Sequence, residues 1–184
     1  MKKLIPILAF LAIVGFISQA EAGPTDTCGM SVTVSVNVSV SVTDEPLAFG
    51  TVAYNTSDVS DSGCTVTNDG STQNDYKLAV TATPSAWTTV TASPGWNQIR
   101  LLALFTSKTG LVTGDFAIAD DIVTGSETAA SSTAYAISAE GASVKGYDCT
   151  ATAVRKLWFR FDAPSGTELT TVQWITVTVY AYQG

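Results

Sequence analysis

The sequence contains no histidine, and only 14% of its 184 residues are charged. Without histidine the chain lacks the commonest general base, the commonest zinc ligand and every serine–histidine or cysteine–histidine nucleophile. It also lacks a phosphate-binding glycine loop, a dinucleotide fingerprint and a nucleophile elbow. We therefore expect a protein that is not an enzyme and that uses no cofactor.

Basic residues are also scarce, with nine Lys and Arg against 16 Asp and Glu and a formal net charge of −7. A surface of this kind repels the phosphates of nucleic acids and the headgroups of anionic lipids. We expect neither nucleic acid nor an anionic membrane surface among the partners.

Residues 1–22 have the three parts of a secretory signal peptide. Lys2 and Lys3 supply the positive charge, Leu4 to Ile17 is apolar, and small residues precede cleavage after Ala22. As a helix the apolar stretch would span only about 21 Å, less than the roughly 30 Å hydrocarbon core of a bilayer. The pattern predicts export to the cell surface, the extracellular space or the periplasm, with no membrane anchor left after cleavage.

The remaining chain has the size of one domain. We expect a flexible N-terminal lead over residues 23–30 and a single β-domain over residues 31–184. Three cysteines would enter an oxidising compartment, so one disulfide can form. Cys64 and Cys149 are the preferred pair because both adjoin predicted strands, which leaves Cys28 as a free or intermolecular thiol. A Cys28–Cys64 bridge with Cys149 free is the alternative, and the sequence does not decide between them.

The longest regular pattern runs from Ser31 to Thr43, where valine alternates with Ser, Thr or Asn without a break. Alternation with a period of two predicts a β-strand with one apolar face. At about 3.3 Å per residue it would be about 43 Å long, well above the common strand length. The apolar face would consist of Val32, Val34, Val36, Val38, Val40 and Val42.

Seven further runs alternate or are β-branched and lie between turn residues. They predict strands over 47–54, 64–67, 76–83, 87–92, 99–106, 154–162 and 173–182. We expect the last of them to lie in the middle of a sheet or to close one. Gly110 to Gly146 is less regular and predicts long loops with short strands near Phe116 and Tyr135. Together the runs favour an all-β fold, an antiparallel two-sheet β-sandwich of Ig-like or jelly-roll-like type with Greek-key connections.

The acidic residues lie mostly in predicted turns, where solvated carboxylates are the ordinary case. Convergent acids could form a glycosidase pair or a calcium site, and the doublet Asp120-Asp121 is the candidate for calcium. The candidates are Asp58, Asp61, Asp69, Asp75, Asp115, Asp120, Asp121, Glu127 and Asp148. No pair among them is recognisable as catalytic. We expect no metal site, because a solvated loop carboxylate is the ordinary case, and calcium at Asp120-Asp121 is the alternative.

Among the four tryptophans, Trp158 lies in a predicted strand and is expected in the core. Trp87 and Trp96 lie on either side of Pro94, where exposed indole rings could stack on sugars. A secreted carbohydrate-binding module that uses Trp87 and Trp96 is therefore the alternative function.

The valine face must be covered by something, because an exposed apolar strand is a site of association. It is covered either by its own domain or by the next subunit, to which it would add as a strand. The layout of the chain resembles that of donor-strand-linked fimbrial and matrix-fibre subunits of bacteria. It has a leader, a long alternating strand near the N-terminus and a last strand that ends in Tyr180-Ala181-Tyr182. The resemblance implies an exported filament or surface subunit that associates with its own copies or with other surface proteins, with Ser31 to Thr43 as the assembly strand.

Overall fold

The computed structural model describes residues 31–33 and 35–184. The chain divides into two compact units, Met1–Val34 and Ser35–Gly184, and every element described below belongs to the second. The signal peptide, the lead over residues 23–30, Cys28 and Val34 lie outside the described residues. Within the described part of the chain, no helix is long and apolar enough to cross a membrane.

Regular structure over the described residues consists of ten β-strands and two short 3₁₀ turns, without an α-helix. The expectation of an all-β fold is therefore confirmed. The 3₁₀ turns are Thr113–Asp115 and Ala142–Val144. The strands are β1 (Ser41–Thr43), β2 (Ser57–Val59), β3 (Cys64–Thr67), β4 (Asn74–Ala82), β5 (Thr88–Thr89), β6 (Gln98–Phe105), β7 (Ile122–Val123), β8 (Thr128–Ala129), β9 (Val154–Asp162) and β10 (Thr176–Gln183).

The strands form two sheets. The larger has the order β1-β3-β9-β6-β5, with β2 also paired to β9 and β7 also paired to β6. The smaller has the order β10-β4-β8. All pairings between these strands are antiparallel except that of β5 with β6.

Residues from both sheets share one apolar core. Tyr76, Leu78 and Val80 of β4 lie in the same cluster as Leu101 and Phe105 of β6. The opposite face of β6 is buried too, because Leu102 and Leu104 belong to a second cluster with Leu111 and Phe116. A strand buried on both faces reads as a continuous apolar run, as Ile99 to Phe105 nearly does.

Two predicted strands, 64–67 and 154–162, have the predicted bounds. The predicted strand over 47–54 is wrong, because no strand forms there. Phe49 packs against Phe161 at a ring-centroid distance of 5.6 Å, and Gly50 has a φ of +65° that leaves the extended region. The apolar residues in this segment therefore contact the core from a loop.

The expectation that the last strand lies in the middle of a sheet is also wrong. β10 pairs only with β4 and forms the edge of the smaller sheet within the described residues. Its alternation does reflect two environments, since Val177, Val179 and Ala181 pack against the core. Periodicity of this kind identifies a buried face and carries no information about the number of neighbouring strands.

The sequence predicts one continuous strand over the valine-rich segment, Ser31 to Thr43. This prediction is wrong for the described residues. Only Ser41–Thr43 is a strand, paired to Thr65–Thr67 of β3. The residues just before it do not pair with another strand. Instead, Asn37 bonds to Ser71 in the loop between β3 and β4, and Ser39 bonds to the side chain of Asn74 at the start of β4. Alternation again specifies faces without specifying a partner.

The predicted Cys64–Cys149 disulfide is not formed, because both residues are buried free thiols. The Cys64 thiol donates to the Leu157 carbonyl of β9 at 3.5 Å, and the Cys149 thiol donates to the Lys145 carbonyl at 3.6 Å. Each thiol therefore donates a hydrogen bond to a different backbone carbonyl. Both lie beside strands as expected, Cys64 within β3 and Cys149 opposite Asn74 of β4.

Both thiols are expected to resist alkylation in the native protein. Burial, followed by the nearby Glu45 carboxylate, raises the pKa of Cys64 to about 11, and burial also raises the pKa of Cys149. Since the thiolate is the reactive species, iodoacetamide at neutral pH should label these two residues only after unfolding in urea. Mass spectrometry of each labelled peptide is the measurement. A peptide pair lighter by two hydrogen atoms, and unlabelled in urea without reductant, would show a disulfide instead.

Candidate functional site

The valine face is divided between the core and solvent. Val40 and Val42 are half-buried and pack against the main core cluster. Val36 and Val38 are 49% and 38% exposed, and Val32 is 88% exposed. The segment therefore anchors itself to its own domain at its C-terminal end and presents valines to solvent before that point.

A small number of polar contacts fix where the anchored part begins. The Asn37 amide donates to Ser71 Oγ at 3.0 Å, and the Ser71 amide donates to the Asn37 carbonyl at 2.9 Å. Asn74 Nδ2 donates to the Ser39 carbonyl at 3.2 Å. Gly70 permits this approach, because a Cβ there would lie 2.5 Å from the Asn37 carbonyl oxygen. Asn37 and Ser39 are thus bound to the loop before β4 and to the first residue of β4.

Two fully buried asparagines support that loop, and sequence reasoning did not identify them as important. Asn74 Nδ2 donates to Asn68 Oδ1 at 2.8 Å, while Asn68 Nδ2 donates to the carbonyls of Cys149 and Thr72, each at 2.8 Å. Buried amides with satisfied partners hold loops in one arrangement. Asn68-Asp69-Gly70 is a turn signal in the sequence, but nothing there indicates that its first side chain is buried.

β10 is the long open edge of the described structure. It has eight residues, whereas the other strands at the ends of the sheet orders, β1, β5 and β8, have two or three. Its inward residues Val177, Val179 and Ala181 are only half-buried. None of its residues is charged or proline, so it lacks the features with which sheet edges usually avoid pairing.

β1, the edge strand next to the valine segment, is poorly suited to pairing with a further strand. It has three residues and is followed by Asp44, whose carboxylate accepts from Lys156 Nζ at 3.0 Å and from Thr65. The hydrogen bond from Thr65, and then Lys156, lower the pKa of this exposed carboxyl. Glu45 and Pro46 come next. Charge and proline at this position disfavour continued strand pairing.

The two edges lie close to one another at one end of the domain. Asn74, which bonds to Ser39, is paired in register with Gln183 at the end of β10. The same core cluster contacts the segment and β10. Its contacts are Val40 and Val42 of the segment and Val177, Val179 and Ala181 of β10. The exposed valines therefore begin near the C-terminal end of the open strand.

Trp87 and Trp96, which sequence analysis considered together, have different roles. Trp87 is half-buried, stacks on Phe161 at 5.8 Å and donates from Nε1 to Thr167 Oγ1 at 3.0 Å. Trp96 is 62% exposed. Trp158 is half-buried in the second apolar cluster and lines two shallow clefts of about 450 and 180 Å³.

Asp120 and Asp121 do not converge on a metal site. Asp120 is exposed, whereas Asp121 is 1% exposed and accepts from the Ala117 amide at 2.6 Å. Over the described ranges, no group of three or more potential ligands is close enough to hold a metal ion. Burial raises the pKa of Asp121 from 3.8 to about 6.

The raised pKa predicts a pH-dependent stability that Asp121→Asn should remove. Because the folded-state pKa lies above the unfolded value, the protonated group stabilises the fold, and that contribution is lost as the pH rises through about 6. We expect the wild type to lose about 2 kcal/mol relative to the variant between about pH 4 and pH 7. Urea titrations of both proteins across this range measure it, and parallel curves would contradict the assignment.

Comparison of the chain with protein-family models, curated proteins and solved structures finds no match. The resemblance to donor-strand-linked subunits remains a prediction from the sequence. The function proposed next depends on the sequence and the geometry alone.

Proposed function

We propose that this protein is an exported structural subunit that assembles with copies of itself by β-strand addition, in a filament or surface layer. In this proposal the segment Ser31 to Val38, the donor segment, pairs with the outer edge of β10 in the next copy. The observation that carries the proposal is the eight-residue uncharged edge of β10, whose inward aliphatic side chains are half-exposed. This donor segment is shorter than the assembly strand predicted from the sequence, Ser31 to Thr43, because Val40 and Val42 pack in their own domain.

We further propose that the two sheets face one another as a β-sandwich. The shared core cluster of β4, β6 and β9 residues supports this arrangement. The open side of this sandwich would lie between the valine segment and β10, because both pack half-buried aliphatic residues against the shared core cluster. A strand inserted there would extend the smaller sheet and cover the core at the same time.

The donor segment has the properties that such an edge requires. It is uncharged, and its valines alternate with Ser, Thr and Asn. Burial of its four valines is worth at most roughly 6–12 kcal/mol before the cost of association, and less because Val36 and Val38 are already partly buried. New backbone hydrogen bonds along β10 would add affinity, as in other cases of strand addition.

The proposal is tested with the mature chain, residues 23–184, by size-exclusion chromatography and negative-stain electron microscopy. We expect polymers that elute in the void volume and appear as regular fibres or sheets. If the donor segment instead folds onto β10 of its own chain, the protein will be a stable monomer. A monomer that persists at high concentration for days would overturn the proposal.

A further inference from the structure

Three loops meet at one surface of the domain, and backbone hydrogen bonds join them. The Asn55 amide donates to the Pro164 carbonyl at 3.1 Å, and the Ser165 amide donates to the Gly95 carbonyl at 3.1 Å. The Asn97 amide donates to Gly166 at 2.9 Å. The loop over residues 163–167 is therefore held between the loops that carry Tyr54 and Trp96.

Trp96 is fixed in place although most of its surface is open to solvent. Its ring lies against Gly166, where a Cβ would be 2.5 Å from the ring atom Cζ3. Asn97, the next residue, has a φ of +54°, and its buried Oδ1 has no hydrogen-bond partner among the described residues. Strained backbone and unsatisfied polar atoms of this kind often occur at functional sites.

Tyr54 is a second exposed aromatic side chain, on another of the three loops, and sequence analysis did not single it out. It is 54% exposed, and its hydroxyl donates to the Thr167 carbonyl at 3.4 Å. Thr167 is itself fixed, because its hydroxyl accepts from Trp87 Nε1 at 3.0 Å. Trp87 stacks on Phe161 in the core. The half-buried Trp87 and the buried Phe161 therefore support this surface from below.

We propose that Tyr54 and Trp96 form a binding platform for a neutral polysaccharide chain. The platform consists of Tyr54, Trp96, Asn97, Gly166 and Thr167, none of which is charged. Rigid aromatic faces bind the apolar faces of sugar rings, and the hydroxyl and amide groups beside them suit sugar hydroxyls. The exposed Glu168, next in the chain, and the net charge of −7 disfavour an anionic polysaccharide.

The mature chain is immobilised on a surface plasmon resonance chip. Polysaccharide binding can then be measured whether the protein is a monomer or a polymer. Hydroxyethyl cellulose, xyloglucan, galactomannan and amylopectin are passed over it, with alginate as an anionic polysaccharide. We expect at least one neutral polymer to bind and alginate not to bind. Trp96→Ala and Tyr54→Ala should each weaken that binding by roughly tenfold or more, as for central aromatic contacts.

Two variants control the experiment. Trp96→Phe keeps a ring and should retain most of the binding. Trp174→Ala removes a similarly exposed indole, 65% exposed, that is not one of the platform residues, and it should bind as the wild type does. The proposal is overturned if none of the four neutral polymers binds, or if Trp174→Ala lowers binding as much as Trp96→Ala. A Trp96→Ala variant that changes only the oligomeric state would also overturn it, in favour of a protein contact.

Discussion

Replacement of Asp162 with alanine will lower the free energy of unfolding by about 3–5 kcal/mol. Asp162 is 3% exposed and accepts hydrogen bonds from Arg100 Nε at 2.6 Å and Arg160 Nε at 2.7 Å. Burial alone would raise the pKa of this carboxyl, but hydrogen bonds from Ser57, Arg160 and Arg100 lower it overall. Without the carboxylate, two guanidinium groups in the centre of the larger sheet would lose their counter-charge.

Urea unfolding at neutral pH measures this effect, and the melting temperature should fall by on the order of 10 °C. Asp162→Asn keeps the shape and one acceptor oxygen, so its loss should be intermediate. Asp61, an exposed acid in the loop after β2, is the matched control, and its alanine variant should change stability by less than about 0.5 kcal/mol. Equal stability losses for Asp162→Ala and Asp61→Ala would refute the assigned role.

The second large effect concerns assembly. Val36→Asp is expected to abolish polymers while the domain stays folded, because Val36 is 49% exposed in its own domain. A carboxylate on the inward face of an added strand would be buried without a partner, which costs several kcal/mol. Sedimentation shows the loss of polymers, and circular dichroism checks the fold.

Ser35→Asp is the matched control for that variant. It introduces the same charge one residue away, on the face that alternation directs to solvent, so polymers should still form. The assembly role of the donor segment is wrong if Val36→Asp polymerises like the wild type. It is equally wrong if the variant is an unfolded monomer, since Val36 would then be part of its own core.

Sequence periodicity predicted the strands best where several inward side chains share one core. β3 and β9 have their predicted bounds because alternation and turn residues agree there. The sequence did not predict β2, and it predicted short strands between Gly110 and Gly146 but placed them near Phe116 and Tyr135, whereas β7 and β8 lie between those residues. Two or three residues are too few to show a period. The segment 47–54 shows the opposite error, in which apolar residues contact the core from a loop.

The candidate site was only partly accessible from the sequence. The valine face was visible as a pattern, but its division at residues 37–39 depends on Ser71 and Asn74, which are distant in the chain. The open edge of β10 follows from sheet order, which periodicity does not encode. Likewise, Trp87 and Trp96 look equivalent in the sequence, and only their different contacts with the loop over residues 163–167 distinguish the half-buried ring from the exposed one.

Disulfide trapping between chains tests most directly whether the donor segment pairs with β10 of another copy. In a Cys28→Ser background, a Ser35→Cys chain is mixed with chains that carry a cysteine at one outward position of β10: Thr176, Thr178, Tyr180 or Tyr182. We predict that mild oxidation joins the two chains at one or two adjacent positions, in a register fixed by the valines. Polymers that form without a crosslink at any of these positions, but with one to Thr43→Cys on β1, would contradict the account.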